Sequence, residues 1–324
     1  MAENQYDFPT EVLALPSKGL LYPKDSPLRS GTIDVKYMTA KEEDILTSTN
    51  LIQKGLVIDK LLTSVIADDK VSLDDMLIGD KNALMVGTRV LGYGPEYQVK
   101  IEDPDTGLEV EHSFNLTTLE TREIDDKVFK NGNKFSFKTP KSGNTLEFRL
   151  LTHKDENDIA KEVKSYEKLT KATGVSNELT TRLKKQIISV DGDNKQSSIN
   201  EFVDNRFLAL DTKEFRKYVT SVTPDVLFEQ EYESQIGESH TVNIPIGIGF
   251  FGLTAKHKTL IHEEIFNLIQ YGNGFVHSDV YRMPVYLRKF YLKQLVDVKK
   301  KETEHTKRAQ SQSSNLPPHL QKKN

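Results

Sequence analysis

Hydrophobic and polar residues alternate along this chain twice in the same way. Ile33, Val35 and Tyr37 are interleaved with polar neighbours, and so are Leu146, Phe148 and Leu150. A period of two predicts a half-buried strand in each place. Each strand then runs into a threonine, Thr39 or Thr152, with an acid three residues on, Glu42 or Asp155. A hydroxyl residue followed by Glu at that spacing is the signature of a helix N-terminus closed by a capping box; Asp gives a weaker version of it. The segments TIDVKYMTAKEEDI and TLEFRLLTHKDENDI align with Asn157 skipped, and six positions are then identical.

The parallel continues downstream. Leu61, Val65 and Ile66 lie on a helical stripe matched by Leu183, Ile187 and Ile188, and GDKNALMVGTRV matches LDTKEFRKYVTSV with Asp80 opposite Asp211 and Leu84 opposite Phe215. Pro95 and Pro224 follow, each ahead of a strand pair: 97–101 with 108–116, and 226–232 with 238–246 around the turn 234–237. The pattern predicts an α+β fold of two duplicated strand–helices–hairpin units followed by a helical C-terminal region. The expected boundaries are an extended segment 1–29, a first unit 30–124, a linker and second unit 125–246, an aromatic-rich helical region 247–308 and a disordered tail 309–324. The extra length of the second copy falls near 171–177, as an inserted loop.

In the helical region one helix is expected from about Lys258 to Tyr271, stopped at Gly272. A second begins after Pro284, with Leu287, Tyr291, Leu295 and Val298 on one stripe; on that stripe Tyr291 should be a buried anchor. After Lys299 there is no apolar residue until Ala309, so the helix should leave the body there.

Composition narrows the function. The chain has 324 residues with 44 basic and 48 acidic side chains, so it lacks the excess of positive charge that a nucleic-acid partner demands. Cysteine is absent, which excludes disulfides, thiol nucleophiles and thiolate zinc sites. The opening shows no basic stretch leading into an apolar one, and the longest apolar run, 244–253, is too short and Gly-rich to span a bilayer; no secretory signal and no membrane association are expected.

Three patterns invite a chemical reading. Gly247-Ile248-Gly249-Phe250-Phe251-Gly252 is a literal GxGxxG, but Pro245 sits at the strand end, two phenylalanines fill the loop and no helix opens on it, so no dinucleotide or other cofactor is expected. The histidines are scattered: His257 and His262 are five apart and suit a solvated helix surface, while His153 and His277 read as helix-entry and loop residues, so no metal site is expected. Paired acids such as 42–44 and 155–156 stand at helix starts, where the dipole explains them without acid–base catalysis. The chain is not expected to be an enzyme.

Two segments are candidates for partner contact. The opening 13–23 is apolar and prolyl, and must pack on its own body or on a partner; the tying-down of termini by strand addition favours its own body. Its candidate contact residues are Leu15, Pro16, Ser17, Leu20 and Tyr22. The second is the helix after Pro284, with Leu287, Arg288, Phe290, Tyr291 and Leu295 as candidates.

The runs LALPSKGLLYPKDSPLRSG, VKYMTAKEEDILTSTNLIQKGLVIDKLL, DDMLIGDKNALMVGTRVLGYGPEY and MPVYLRKFYLKQL together resemble the baseplate protein family of T4-like contractile-tailed phages, from Leu13 to about Lys301. The resemblance implies a late viral protein without catalytic motifs. It implies assembly of the central baseplate hub in the host cytoplasm, with other phage hub or tail proteins as partners. The alternative it leaves open is a permanent structural subunit of the virion tail. Some relatives carry cysteine pairs near the first hairpin; this chain has none, so no zinc is implied.

Overall fold

The computed structural model describes residues 9–169, 177–234 and 236–314. Most of the loop expected at 171–177, and the tail beyond Ser314, lie outside the described residues. The fold is α+β. The chain runs through β1 (Thr10–Ala14), β2 (Thr32–Lys36), α1 (Ala40–Leu46), α2 (Thr49–Lys54), α3 (Val57–Val65), α4 (Ile78–Tyr93) and the strands β3 (Glu96–Glu102) and β4 (Glu109–Asn115). It continues through β5 (Phe135–Lys138), β6 (Thr145–Phe148), α5 (His153–Leu169), α6 (Glu178–Gln186), β7 (Ile187–Val190), α7 (Gln196–Glu201), α8 (Ala209–Val222), β8 (Glu229–Glu233) and β9 (Ser239–Asn243). Three helices close it: α9 (His257–Tyr271), α10 (His277–Arg282) and α11 (Val285–Ser314).

Every sheet is small and antiparallel, with the pairs β1–β2, β3–β4 and β8–β9 and the three-stranded order β5-β6-β7. The two halves repeat specific contacts. In the first, β1 pairs with β2 and Val35 of β2 bridges Ile66, the residue after α3. In the second, β5 pairs with β6 and Phe148 of β6 pairs with Ile187 after α6. Asp80 in the first turn of α4 accepts the Ser17 amide from the loop after β1, at 2.9 Å. Asp211 in the first turn of α8 accepts the Lys141 and Ser142 amides from the loop after β5, at 2.8 and 3.0 Å. Both aspartates are fully buried.

The chain divides into two compact units: the described residues to Tyr37 with Ile58–Phe250, and Met38–Val57 with the described residues from Phe251. This cuts across the boundaries expected from the repeat. Residues 38–57, assigned by sequence to the first α+β unit, build the C-terminal one, because Ala40 of α1 belongs to a buried cluster with Ile261, Ile265 and Leu268 of α9 and Val280 of α10. The Met38 carbonyl also accepts the Val285 amide at 2.8 Å.

In the larger unit, Phe148 and Phe215 are fully buried with ring centroids 5.0 Å apart, and Phe207 meets Phe215 edge-on and Phe202 at a tilt. Edge-to-face aromatic pairs of this kind add to plain area burial. Gly79 marks a close approach: a Cβ there would stand 1.8 Å from the Pro224 carbonyl oxygen, so at this position α4 can lie against the 224–225 turn only with a residue that has no side chain. Asn82, one turn on, donates to Asp225 at 2.9 Å.

Other elements depart from expectation. His277, expected in a loop, opens the short helix α10. Helix α11 reaches Ser314, six residues into the expected tail, since nothing that breaks a helix occurs before Pro317.

Candidate functional site

The opening segment belongs to the core of the larger unit. Ser17 donates its amide and its hydroxyl to Asp80, at 2.9 and 2.6 Å, and the Tyr22 hydroxyl donates to the same carboxylate at 2.6 Å while accepting the Leu77 amide at 2.9 Å. Burial pushes the Asp80 carboxyl above its usual range, against the pull of the Ser17 and Tyr22 hydrogen bonds. Burial, and then the Asp80 carboxylate, push the Tyr22 phenol upward. Leu15, Ser17 and Tyr22 are all buried, which corrects their place among partner-contact candidates: a buried carboxylate needs donors, and these residues supply them from within. Pro16 and Leu20 are half-buried.

On α11 the buried stripe is rotated from the expected one. Arg288 is fully buried, and Leu292 and Leu295 pack against the cluster around Ile265, whereas Phe290, Tyr291 and Val298 are exposed. Tyr291 is 37% exposed and meets the Phe275 ring at 5.3 Å, so it is a surface aromatic and not the buried anchor expected. The guanidinium of Arg288 takes that place by bonding Glu43 of α1 at 2.5 Å and Glu264 of α9 at 3.3 Å. Burial pushes the Glu43 carboxyl up, opposed by the Arg288 charge beside it. From Val298 to Arg308 every side chain is exposed, as expected for a helix with nothing to bury.

A third polar cluster, half-buried around a buried histidine, was not visible in the sequence. His153, 4% exposed, contacts Asp59 of α3 at 3.0 Å and Lys81 of α4 at 3.0 Å, and Lys81 also bonds Asp59 at 2.9 Å. Burial alone would raise the Asp59 carboxyl, but the hydrogen bonds from His153 and Lys81 outweigh it and hold the pKa at about 2. A carboxylate whose folded pKa lies below its ordinary 3.8 stabilises the fold above about pH 4 and loses that contribution as pH falls toward 2. At roughly 1.4 kcal/mol per pKa unit the contribution is about 2 kcal/mol. Asp59→Asn should therefore flatten the acid limb of the stability profile between pH 5 and 2, as read by urea denaturation at each pH; an unchanged limb would show the cluster to be energetically silent.

The GxGxxG stretch forms a single 3₁₀ turn over Ile248–Phe251. Phe250 is fully buried, its ring 5.0 Å from Tyr97, and its carbonyl accepts the Arg89 Nε at 3.1 Å. The tip of the β3–β4 hairpin meets that of β8–β9: Asp105, Glu238 and His240 bring three donor atoms within 4.8 Å of one another, a set that could hold a metal ion and that sequence spacing did not reveal. The His240 ring nitrogen lies 2.8 Å from Asp105, so a hydrogen bond between the two tips accounts for most of this grouping. Among the described residues no helix is long and apolar enough to cross a membrane.

Residues 16–245 match the family described as T4 bacteriophage base plate protein. The chain belongs to that family. As a phage baseplate protein it works among other tail and baseplate proteins. The match takes in the Asp80 and Asp211 contacts and both hairpins, and ends shortly before the larger unit does at Phe250. The candidates Leu287, Arg288, Phe290, Tyr291 and Leu295 lie beyond it. No curated protein and no solved structure matches the chain.

Proposed function

We propose that this baseplate protein is a non-catalytic factor that promotes assembly of the tail baseplate hub through protein–protein contacts, acting in the host cytoplasm as tails are built. Family membership carries the reading. The distribution of surface apolar groups supports it: Phe266 and Tyr271 on α9 and Tyr286, Phe290 and Val296 on α11 are each more than 40% exposed, a density that suits a surface meant to be covered. The acids Asp80, Asp59 and Glu43 find their hydrogen-bond or ion-pair partners within the fold. The description as a base plate protein favours a second reading, a permanent subunit of the finished baseplate.

Quantitative mass spectrometry of purified virions separates the two. For an assembly factor, tails made without the chain should lack hubs, while finished virions contain it far below hub stoichiometry. Recovery near hub stoichiometry would establish the permanent subunit, and normal tails without the chain would reject both.

A further inference from the structure

Helices α9 and α11 enclose an open groove of about 550 Å³. Its floor is apolar: Leu292 and Leu295 are half-buried, and Tyr271 and Val296 stand 53% and 43% exposed at its mouth. Its far end is cationic, with Lys299, Lys300 and Lys307 on the wall against the single acid Glu304. From Val285 to Arg308 there are eight basic residues and three acidic ones, in a chain whose net charge is −4. From Leu292 to Lys307 the lining residues recur at steps of three or four, so they form one face of α11 extending about 22 Å at 1.5 Å per residue.

We propose that this groove seats an acidic amphipathic helix of about four turns from another protein. The proposal rests on the reading of the chain as an assembly factor and specifies its partner's chemistry. A groove between two helices with an apolar floor is the geometry in which a third helix buries its apolar stripe, and a cationic wall selects acidic residues beside that stripe. Charge argues against the other occupants. A second copy pairing through the same face would set lysines against lysines. The end of this chain, 309–324, contains two lysines and no acid, so it does not complement the wall either.

The test uses the full chain and two synthetic 16-residue helical peptides with one leucine stripe, one carrying glutamates on its flanks and the other lysines. Fluorescence anisotropy should show at least tenfold tighter binding of the glutamate peptide, weakening as salt is raised from 50 to 300 mM. Val296→Glu should reduce that binding at least tenfold. The double variant Lys299→Glu, Lys307→Glu, wholly on the exposed part of the helix, should invert the preference. Equal binding of both peptides, no binding of either, or indifference to these substitutions would overturn the proposal. So would a dimer in sedimentation equilibrium that Val296→Glu dissolves, since a second copy would then cover the groove. The outcomes stay separable from those for the broader function: a chain that binds the glutamate peptide yet is dispensable for tails leaves the groove and removes the assembly role. A chain required for tails that binds neither peptide does the reverse.

Discussion

Arg288→Ala should destabilise the C-terminal unit by about 3–5 kcal/mol, the usual cost of removing one partner of a buried ion pair. The guanidinium is fully buried and bonds Glu43, itself 2% exposed, so the truncation takes the buried ion partner from a buried carboxylate. It also opens a cavity between α11 and the residues that hold the guanidinium, Glu43 of α1 and Glu264 of α9. Protonation of Glu43 would relieve part of the penalty, and burial already pushes that carboxyl upward. The double variant Glu43→Gln, Arg288→Met removes both charges while keeping volume, and should recover most of the loss. Since the chain forms two units, a single global transition is a poor reporter. Hydrogen exchange of the α9 and α11 amides resolves the unit concerned: protection there should fall by two to four orders of magnitude in Arg288→Ala and be largely restored in the double variant. A loss below about tenfold would mean that the apolar cluster around Ile265 carries this unit without the ion pair.

That arginine also shows where sequence reading ran out. Local patterns survived translation into structure: the alternation in β2 and β6, the capping box of Thr39 and Glu42, the stop at Gly272 and the hairpin at 96–115 are where period and cap chemistry place them. Each depends on residues within a few positions of one another. The face of α11 did not, because a charged residue was assigned to solvent by type. With Arg288 inside, the buried stripe becomes Val285, Arg288, Leu292 and Leu295, a rotation that brings Phe290 and Tyr291 outward. The partner that makes burial possible, Glu43, lies 245 residues away and looked like an ordinary first-turn acid. His153 opens α5, as its reading as a helix-entry residue has it, but its burial escaped notice for the same reason, since Asp59 and Lys81 come to it from other helices. The unit boundaries were hidden likewise: nothing local in Ala40 says that it packs with Ile261 and Ile265. As for the candidate site, the α11 segment was legible as a surface element, but the cationic groove beside it needs α9 in place.

Asp80→Ala should cost the larger unit about 3–5 kcal/mol, because it removes three hydrogen bonds to a buried carboxylate at once. Bonds to charged groups contribute roughly 1.5–3 kcal/mol each, but these three share one acceptor, so their sum overstates the loss. What remains is worse than an apolar site: the Ser17 amide and hydroxyl and the Tyr22 hydroxyl stay buried with no acceptor in reach. Tyr22 cannot simply turn away, since its oxygen also accepts the Leu77 amide at the entry to α4. Asp80→Asn keeps one acceptor oxygen but presents an amide to at least one of these donors, so its loss should be smaller and of the same sign. The readout should be local as well as global. If the carboxylate fixes the opening segment, the amides of Ser17 and Gly19 should lose protection, and limited proteolysis should cut near Lys18 before any other site. Asp211→Ala provides the comparison, because Asp211 holds the Lys141 and Ser142 amides as Asp80 holds Ser17. Loosening of 139–144 by that change, parallel to loosening of 15–22 by the first, is what two copies of one ancestral unit would give. Protection of Ser17 and Gly19 unchanged in Asp80→Ala would mean that packing of Leu15 and Leu21 alone holds the segment, and the shared aspartates would then be no evidence of common descent.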